Sequence, residues 1–317
     1  MGVKVSIDVQ AEVQWLNPEG EKSDGTPVTV KPGDAIGEYK TMAKVGYGAS
    51  ASAGAGIKGA FKIGIEKGNF VIKAKVGACW GLGGEGSFSG EVGYETIGEF
   101  FKFVSYQLKR ADFHKIGDFI EKEAYDYYCQ IYYLVVAKGK ELKGYVNQIG
   151  EKITQEYEDF KDTLDEAIEA GAQEVEGFLN RLNTELNKKT SSWFSYSPPE
   201  VVGQIQRQLA MVALSANSTF NERAPRLMAM SLGAPQTLNQ LSTIAERMTA
   251  QMGDKQSASQ GFAMIRQSLS GSIYATDLEA TEQRLASAQP MSSKPFIWNH
   301  EPEFVAARLS IEDAMYT

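Results

Sequence analysis

Between Ala43 and Ile65 the chain reads AKVGYGASASAGAGIKGAFKIGI, an alternation that decides the fold of its first third. The odd positions are Ala43, Val45, Tyr47, Ala49, Ala51, Ala53, Ala55, Ile57, Gly59, Phe61, Ile63 and Ile65; the even ones are Lys, Gly or Ser apart from Ala60. A period of two marks a strand with one buried face. As a single strand this run would extend about 75 Å, far beyond the usual length. It must therefore bend or break, and Gly54, Gly56 and Gly59 are the natural places. At Lys67-Gly68-Asn69 the phase flips, and the inward set becomes Phe70, Ile72, Ala74, Val76, Ala78, Trp80 and Leu82. That predicts a hairpin around Gly68-Asn69, with Gly81, Gly83, Gly84 and Gly86 free to coil the return run. Working outward, Val3 to Trp15 alternates in the same way, and Ser87 to Tyr94 keeps Phe88, Val92 and Tyr94 in step. The Ala/Gly face fits a strongly twisted antiparallel sheet that another layer approaches closely. Over Gly46 to Ala60 it also admits a glycine-zipper hairpin able to enter a membrane. Lys44 and Lys58 bracket that segment and its faces are small rather than greasy, which favours the sheet.

Past Gly98 the period changes. No proline occurs between Gly33 and Ser197, so long helices are permitted. Phe100, Phe101, Val104 and Leu108, then Phe113, Ile116, Phe119 and Ile120, have helical spacing, and Tyr125 to Val136 is apolar all round, as in a helix buried on most sides. From Leu142 to Leu186 apolar residues recur about every 3.67 residues, close to the period of a straight helix. Gly171 and Gly177 are candidate breaks, leaving one long helix or two antiparallel ones. Pro198-Pro199-Glu200 suits a new helix N-terminus, and helical runs follow as Val201, Ile205, Leu209, Val212; Leu238, Leu241, Ile244, Met248; Phe262, Ile265, Leu269; and Leu278, Leu285. Eight of the ten methionines lie after Ala210, as core filler or as a Met-rich partner groove. The tail from Pro295-Phe296-Ile297-Trp298 is apolar enough to dock. The expected fold class is α+β: a Gly/Ala-rich antiparallel meander over residues 1–97, long amphipathic helices over 98–197 and a helical region over 198–317.

Composition removes several classes of function. A chain of 317 residues, 43% apolar and 23% charged, buries real cores. A net charge of -8 argues against a protein that holds nucleic acid through its phosphates. Cys79 and Cys129 are too few for a disulfide framework or a Cys-type zinc site, and whether they pair is open. With only His114 and His300, little room is left for a Ser-His-Asp relay or a histidine-rich metal site, and no cofactor is expected. G-x-G-x-x-G occurs at Gly54–Gly59 and Gly81–Gly86. Alternating sequence rather than a helix follows each, so neither is a dinucleotide fingerprint. The N-terminus lacks the basic start and apolar core of a secretion signal, and the longest nearly uncharged apolar stretch, Tyr127 to Ala137, is about half of what spans a bilayer.

The stretches Gly46–Phe61, Gly68–Gly86 with its Cys79-Trp80-Gly81-Leu82-Gly83, and Glu99–Leu108 with its Tyr106-Gln107-Leu108 resemble the C-terminal part of large antibacterial effectors of the bacterial type VI secretion system, the VasX-like group. The likeness extends loosely to the Pro198-Pro199-Glu200 helix start. It implies a fragment of a longer toxin, exported without a signal peptide, carried by the secretion spike or an adaptor, matched by an immunity protein, and aimed at the periplasm or inner membrane of a rival. Membrane disruption is the first expectation, by amphipathic helices that insert conditionally. A muramidase-type peptidoglycan hydrolase is the second, because it needs only two carboxylates. Glu85, Glu91, Glu95 and Glu99, around the junction of sheet and helices, are its candidate residues. A non-toxic module that carries or docks the toxic part is the third.

Overall fold

The computed structural model describes residues 9–16, 39–45, 61–76, 86–113, 116–188, 193–215, 220, 222–287 and 310–311. Five strands, β1 (Val9–Leu16), β2 (Tyr39–Val45), β3 (Phe61–Glu66), β4 (Asn69–Val76) and β5 (Gly86–Glu91), form an antiparallel sheet edged by the two-residue β6 (Ser310–Ile311). The spatial order is β3-β4-β5-β2-β1-β6. The meander thus comes in two pieces, β1-β2 and β3-β4-β5, joined by pairing of β2 with β5. Ile63 faces Ile72 and Ile65 faces Phe70 across the β3–β4 ladder, so the two alternating sets meet on one face. The turn sits one residue earlier than expected: Lys67 and Gly68 are its central pair, with φ of 49° and 78°, the left-handed pair that matches strand twist in a two-residue hairpin. Gly46 to Ala60, the glycine-zipper candidate, and the glycines at 81, 83 and 84 lie outside the described residues, as do His114, His300, Cys79 and the tail from Pro295 to Leu309.

The helical part begins with α1 (Ile97–Arg110), whose Phe100, Phe101, Phe103, Val104 and Leu108 are buried. Phe70 of β4 meets the rings of Phe100 and Phe101 at 5.1 and 5.7 Å, joining sheet and helices in one core. After the single turn α2 (Ile116–Phe119) comes α3 (Lys122–Tyr133), extended by a π-helical turn over Leu134–Lys138. It is buried on most sides, as its all-round apolar sequence requires. The long periodic segment is not one helix. Leu142–Tyr145 is a 3-10 turn, α4 spans Glu151–Ala170, and α5 spans Glu174–Asn187. Gly171, at φ 64°, ends α4 in a Schellman closure, with Ala172 N donating to Ala167 O at 2.8 Å. Gly177 stays helical within α5.

The remaining helices are α6 (Pro199–Leu214), α7 (Arg223–Ser231), α8 (Leu238–Glu246), α9 (Ala258–Leu269) and α10 (Asp277–Ser287). Pro199 opens α6 at its first position, as the double proline predicted. One continuous hydrophobic core runs from Met42 to Leu285. A second tie between sheet and helices is polar. Buried Asn69, beside the hairpin turn, accepts from Asn147 N at 2.7 Å and donates to Asn147 Oδ1 at 2.6 Å. Ile149 N donates to Gly68 O at 3.0 Å.

Helix α8 lies against both α6 and α9, and glycines set that approach. A Cβ on Gly203 of α6 would stand 2.7 Å from Arg247 Cβ and 2.8 Å from Ile244 O; one on Gly261 of α9 would overlap the Ala245 carbonyl. Both obstacles are backbone or Cβ atoms that no rotamer change removes. Gly261→Ala is therefore expected to cost about 3 kcal/mol or more. Gly98→Ala in α1, where a Cβ meets open space, is expected to be neutral or to stabilise by up to about 1 kcal/mol. Thermal denaturation of both variants checks this; equal melting temperatures would contradict the close approach.

Candidate functional site

The carboxylates at the junction of sheet and helices each face a different neighbour. Glu91, at the end of β5, accepts from the Asn69 amide. Glu95, 81% exposed, lies 3.7 Å from Lys44. Glu99, in the first turn of α1, pairs with Lys102 one turn on at 3.0 Å. Glu85 is outside the described residues. A glycosidase acid needs a carboxyl kept protonated by an apolar pocket, opposite a second carboxylate. In the structure Glu91 faces an amide, and Glu95 and Glu99 each face a lysine. Among the described residues no cluster of His, Cys, Asp and Glu could hold a metal ion, and no helix is long and apolar enough to cross a membrane.

A dense polar arrangement lies on α6. Glu200, 6% exposed, accepts from Tyr125 Oη of α3 at 2.7 Å and pairs with Arg247 Nη2, just past α8, at 3.1 Å. Gln204 donates to Thr249 O at 3.0 Å, Gln206 to Ser231 Oγ of α7 at 2.5 Å, and Gln208 to Tyr133 Oη of α3 at 2.5 Å. Arg207 pairs with Asp165 of α4 at 2.8 Å. Each neighbour thus receives its own polar side chain from one helix. Burial pushes the Tyr125 phenol well up, with Cys129 and Glu200 beside it adding to the shift. Burial also pushes the Cys129 thiol well up, reinforced by Glu200. Cys129 is free, but a buried thiol held protonated is a poor nucleophile. The cluster therefore fastens helices rather than performing a reaction.

A third feature is apolar. Helices α4, α6 and α9 frame an open groove of about 720 Å³, lined by Ile168, Ala210, Met211, Leu214, Ala263 and Met264 with a rim that includes Glu169 and Gln267. Met228 and Met248 fill core, while Met211 and Met264 line the groove. Compared with protein-family models, curated proteins and solved structures, the chain matches none. The groove and the polar helix behind it were not singled out by sequence reasoning. The available signal was Gln204, Gln206 and Gln208: the first and third share a helix face four residues apart, while Gln206 lies on the opposite side.

Removing Arg247 alone strands the buried Glu200 carboxylate. Arg247→Met is expected to destabilise by about 3–5 kcal/mol, and adding Glu200→Gln to recover much of that loss. Urea unfolding of the two single variants and the double reads the coupling. Additive losses would show that the pair does not act as a unit.

Proposed function

We propose that this chain is part of an antibacterial effector delivered by a type VI secretion system, and that it disrupts the membrane of the recipient cell. Its partners on this reading are the secretion spike or an adaptor, a cognate immunity protein and membrane lipid. The sequence resemblance supplies the delivery route. The observation that carries the membrane activity is the unit α6–α8–α9. Its three helices contain only four charged residues, Glu200, Arg207, Glu246 and Arg266, and they approach through Gly203 and Gly261. Packing through glycine relies on close backbone contact rather than on water exclusion, so it survives transfer to lipid.

Among the described residues, three of the four exposed large hydrophobic side chains flank this unit: Leu214 at the end of α6, Leu238 at the start of α8, and Ile273, 88% exposed, just after α9. Single exposed apolar residues are ordinary, but these three flank one unit, and Leu214 lines the Met211/Met264 groove. At about 24, 14 and 18 Å the helices are shorter than the roughly 30 Å hydrocarbon core. They suit burial in the interface and one leaflet, a mode that thins and perturbs a bilayer.

The test is expression in a susceptible Gram-negative host with and without a periplasmic export signal. Depolarisation and growth arrest are expected only with export, and Leu214→Asp with Ile273→Asp is expected to weaken killing about tenfold while leaving the melting temperature unchanged. Lysis without prior depolarisation would favour the hydrolase. Survival in both settings with folded protein present would remove the toxin and leave a carrier or docking module.

A further inference from the structure

Glu200 meets α3 at Tyr125, in its first turn; past the other end of that helix the chain makes a turn with a charge imbalance. The π-helical end of α3 closes at Gly139, with φ 77°. Lys138 and Lys140, on either side of it, converge on one carboxylate, Glu156 of α4, at 2.8 and 2.7 Å. Burial works against the charge on Glu156, but the two lysine hydrogen bonds outweigh it and hold the carboxyl below its ordinary range. Each ammonium also lies over an aromatic ring, Lys138 over Phe160 at 5.6 Å and Lys140 over Tyr145 at 4.6 Å. Both are therefore held in place rather than swept through solvent.

Arg181 of α5 crosses this turn from the other side. Its Nε donates to Ala137 O at 2.8 Å. Its side chain runs so close to the chain that a Cβ on Gly139 would stand 2.7 Å from its Cδ, and one on Gly177 would stand 3.3 Å from its Nη1. Among the described residues no carboxylate lies within ion-pair distance of Arg181. Burial alone lowers its proton affinity, with no acid offsetting it.

These cations lie at the carbonyl end of α3, where Arg181 donates to Ala137 O, and their charge exceeds what that end can offset. A helix C-terminus presents about half a negative charge, and Glu156 supplies one more, against three cations. Glu141 and Lys143, next along the chain and both exposed, cancel. More than one positive charge is left over, in a protein whose net charge is -8. A guanidinium with its Nε engaged keeps its Nη hydrogens for a planar or tetrahedral oxyanion. We propose that Arg181, Lys138 and Lys140 form a binding site for a phosphate group, carried by an anionic lipid or free in solution. The proposal stands apart from the membrane activity of α6–α8–α9, since a phosphate site would exist whether or not the protein kills.

The experiment uses the full chain with three probes: vesicles of phosphatidylcholine, vesicles containing phosphatidylglycerol, and inorganic phosphate measured by calorimetry. Retention on phosphatidylglycerol vesicles alone, uncompeted by millimolar phosphate, would assign the site to lipid; calorimetric binding of phosphate would assign it to a free anion. In either case Arg181→Gln is expected to weaken binding about fivefold or more. Arg181→Lys should recover only part, and Arg226→Gln, which removes an exposed charge from α7, should change little. Folding of each variant is checked by its circular-dichroism melt. Binding of none of the probes, or equal losses from Arg181→Gln and Arg226→Gln, would overturn the site. Phosphate binding without toxicity would leave the site standing and remove the membrane reading.

Discussion

The burial of α6 on nearly all sides is the constraint on which the helical part depends. Such a helix has little solvent-facing surface on which to leave polar groups, so each must be given a partner or bear a desolvation cost of about 1–3 kcal/mol. Here Glu200, Gln204, Gln206, Arg207 and Gln208 reach α3, α4, α7 and the chain after α8. Apolar packing alone would let the surrounding helices slide or rotate at small cost. Five polar side chains directed from one helix remove that freedom.

Glycine sets the second constraint. Gly203 and Gly261 hold α8 at backbone distance between α6 and α9, and Gly171 turns α4 into α5 through a left-handed residue. Asn69 and Asn147 tie the hairpin to the loop before α4, and Phe70, next to Asn69, joins the Phe100–Phe101 rings. Sheet and helices therefore share one core while keeping different surfaces. The low-charge glycine-packed unit and the cationic turn at Gly139 lie on separate helices, which lets them be tested separately.

Much of this architecture is legible in the chain. Alternation identifies Ile63, Ile65, Phe70 and Ile72 as one face because strand geometry is local and its period unambiguous. The 3.67-residue repeat identifies Ile153, Tyr157, Leu164, Val175 and Leu182 as buried, yet it extends smoothly through Val146 and Ile149, where there is no helix. Those two positions are pulled out of helical geometry by the hairpin, whose Gly68 carbonyl accepts from Ile149 N. A contact about eighty residues away in sequence leaves no trace in a local period. The same holds for the candidate sites. Glu91, Glu95 and Glu99 were legible as acids near a junction, but not the partners that face them. On α6 the apolar positions Val201, Ile205, Leu209 and Val212 declare a single buried stripe, whereas the burial of the glutamines follows from Tyr133, Ser231 and Thr249 on other elements.

Native-state hydrogen exchange under increasing urea tests the central role of α6 most directly, because it resolves which segment opens with which. If α6 is the hub, its amides exchange only through global unfolding, together with those of α3, while α5 and α10 open earlier. Exchange of α6 through a local opening, ahead of those outer helices, would contradict the account.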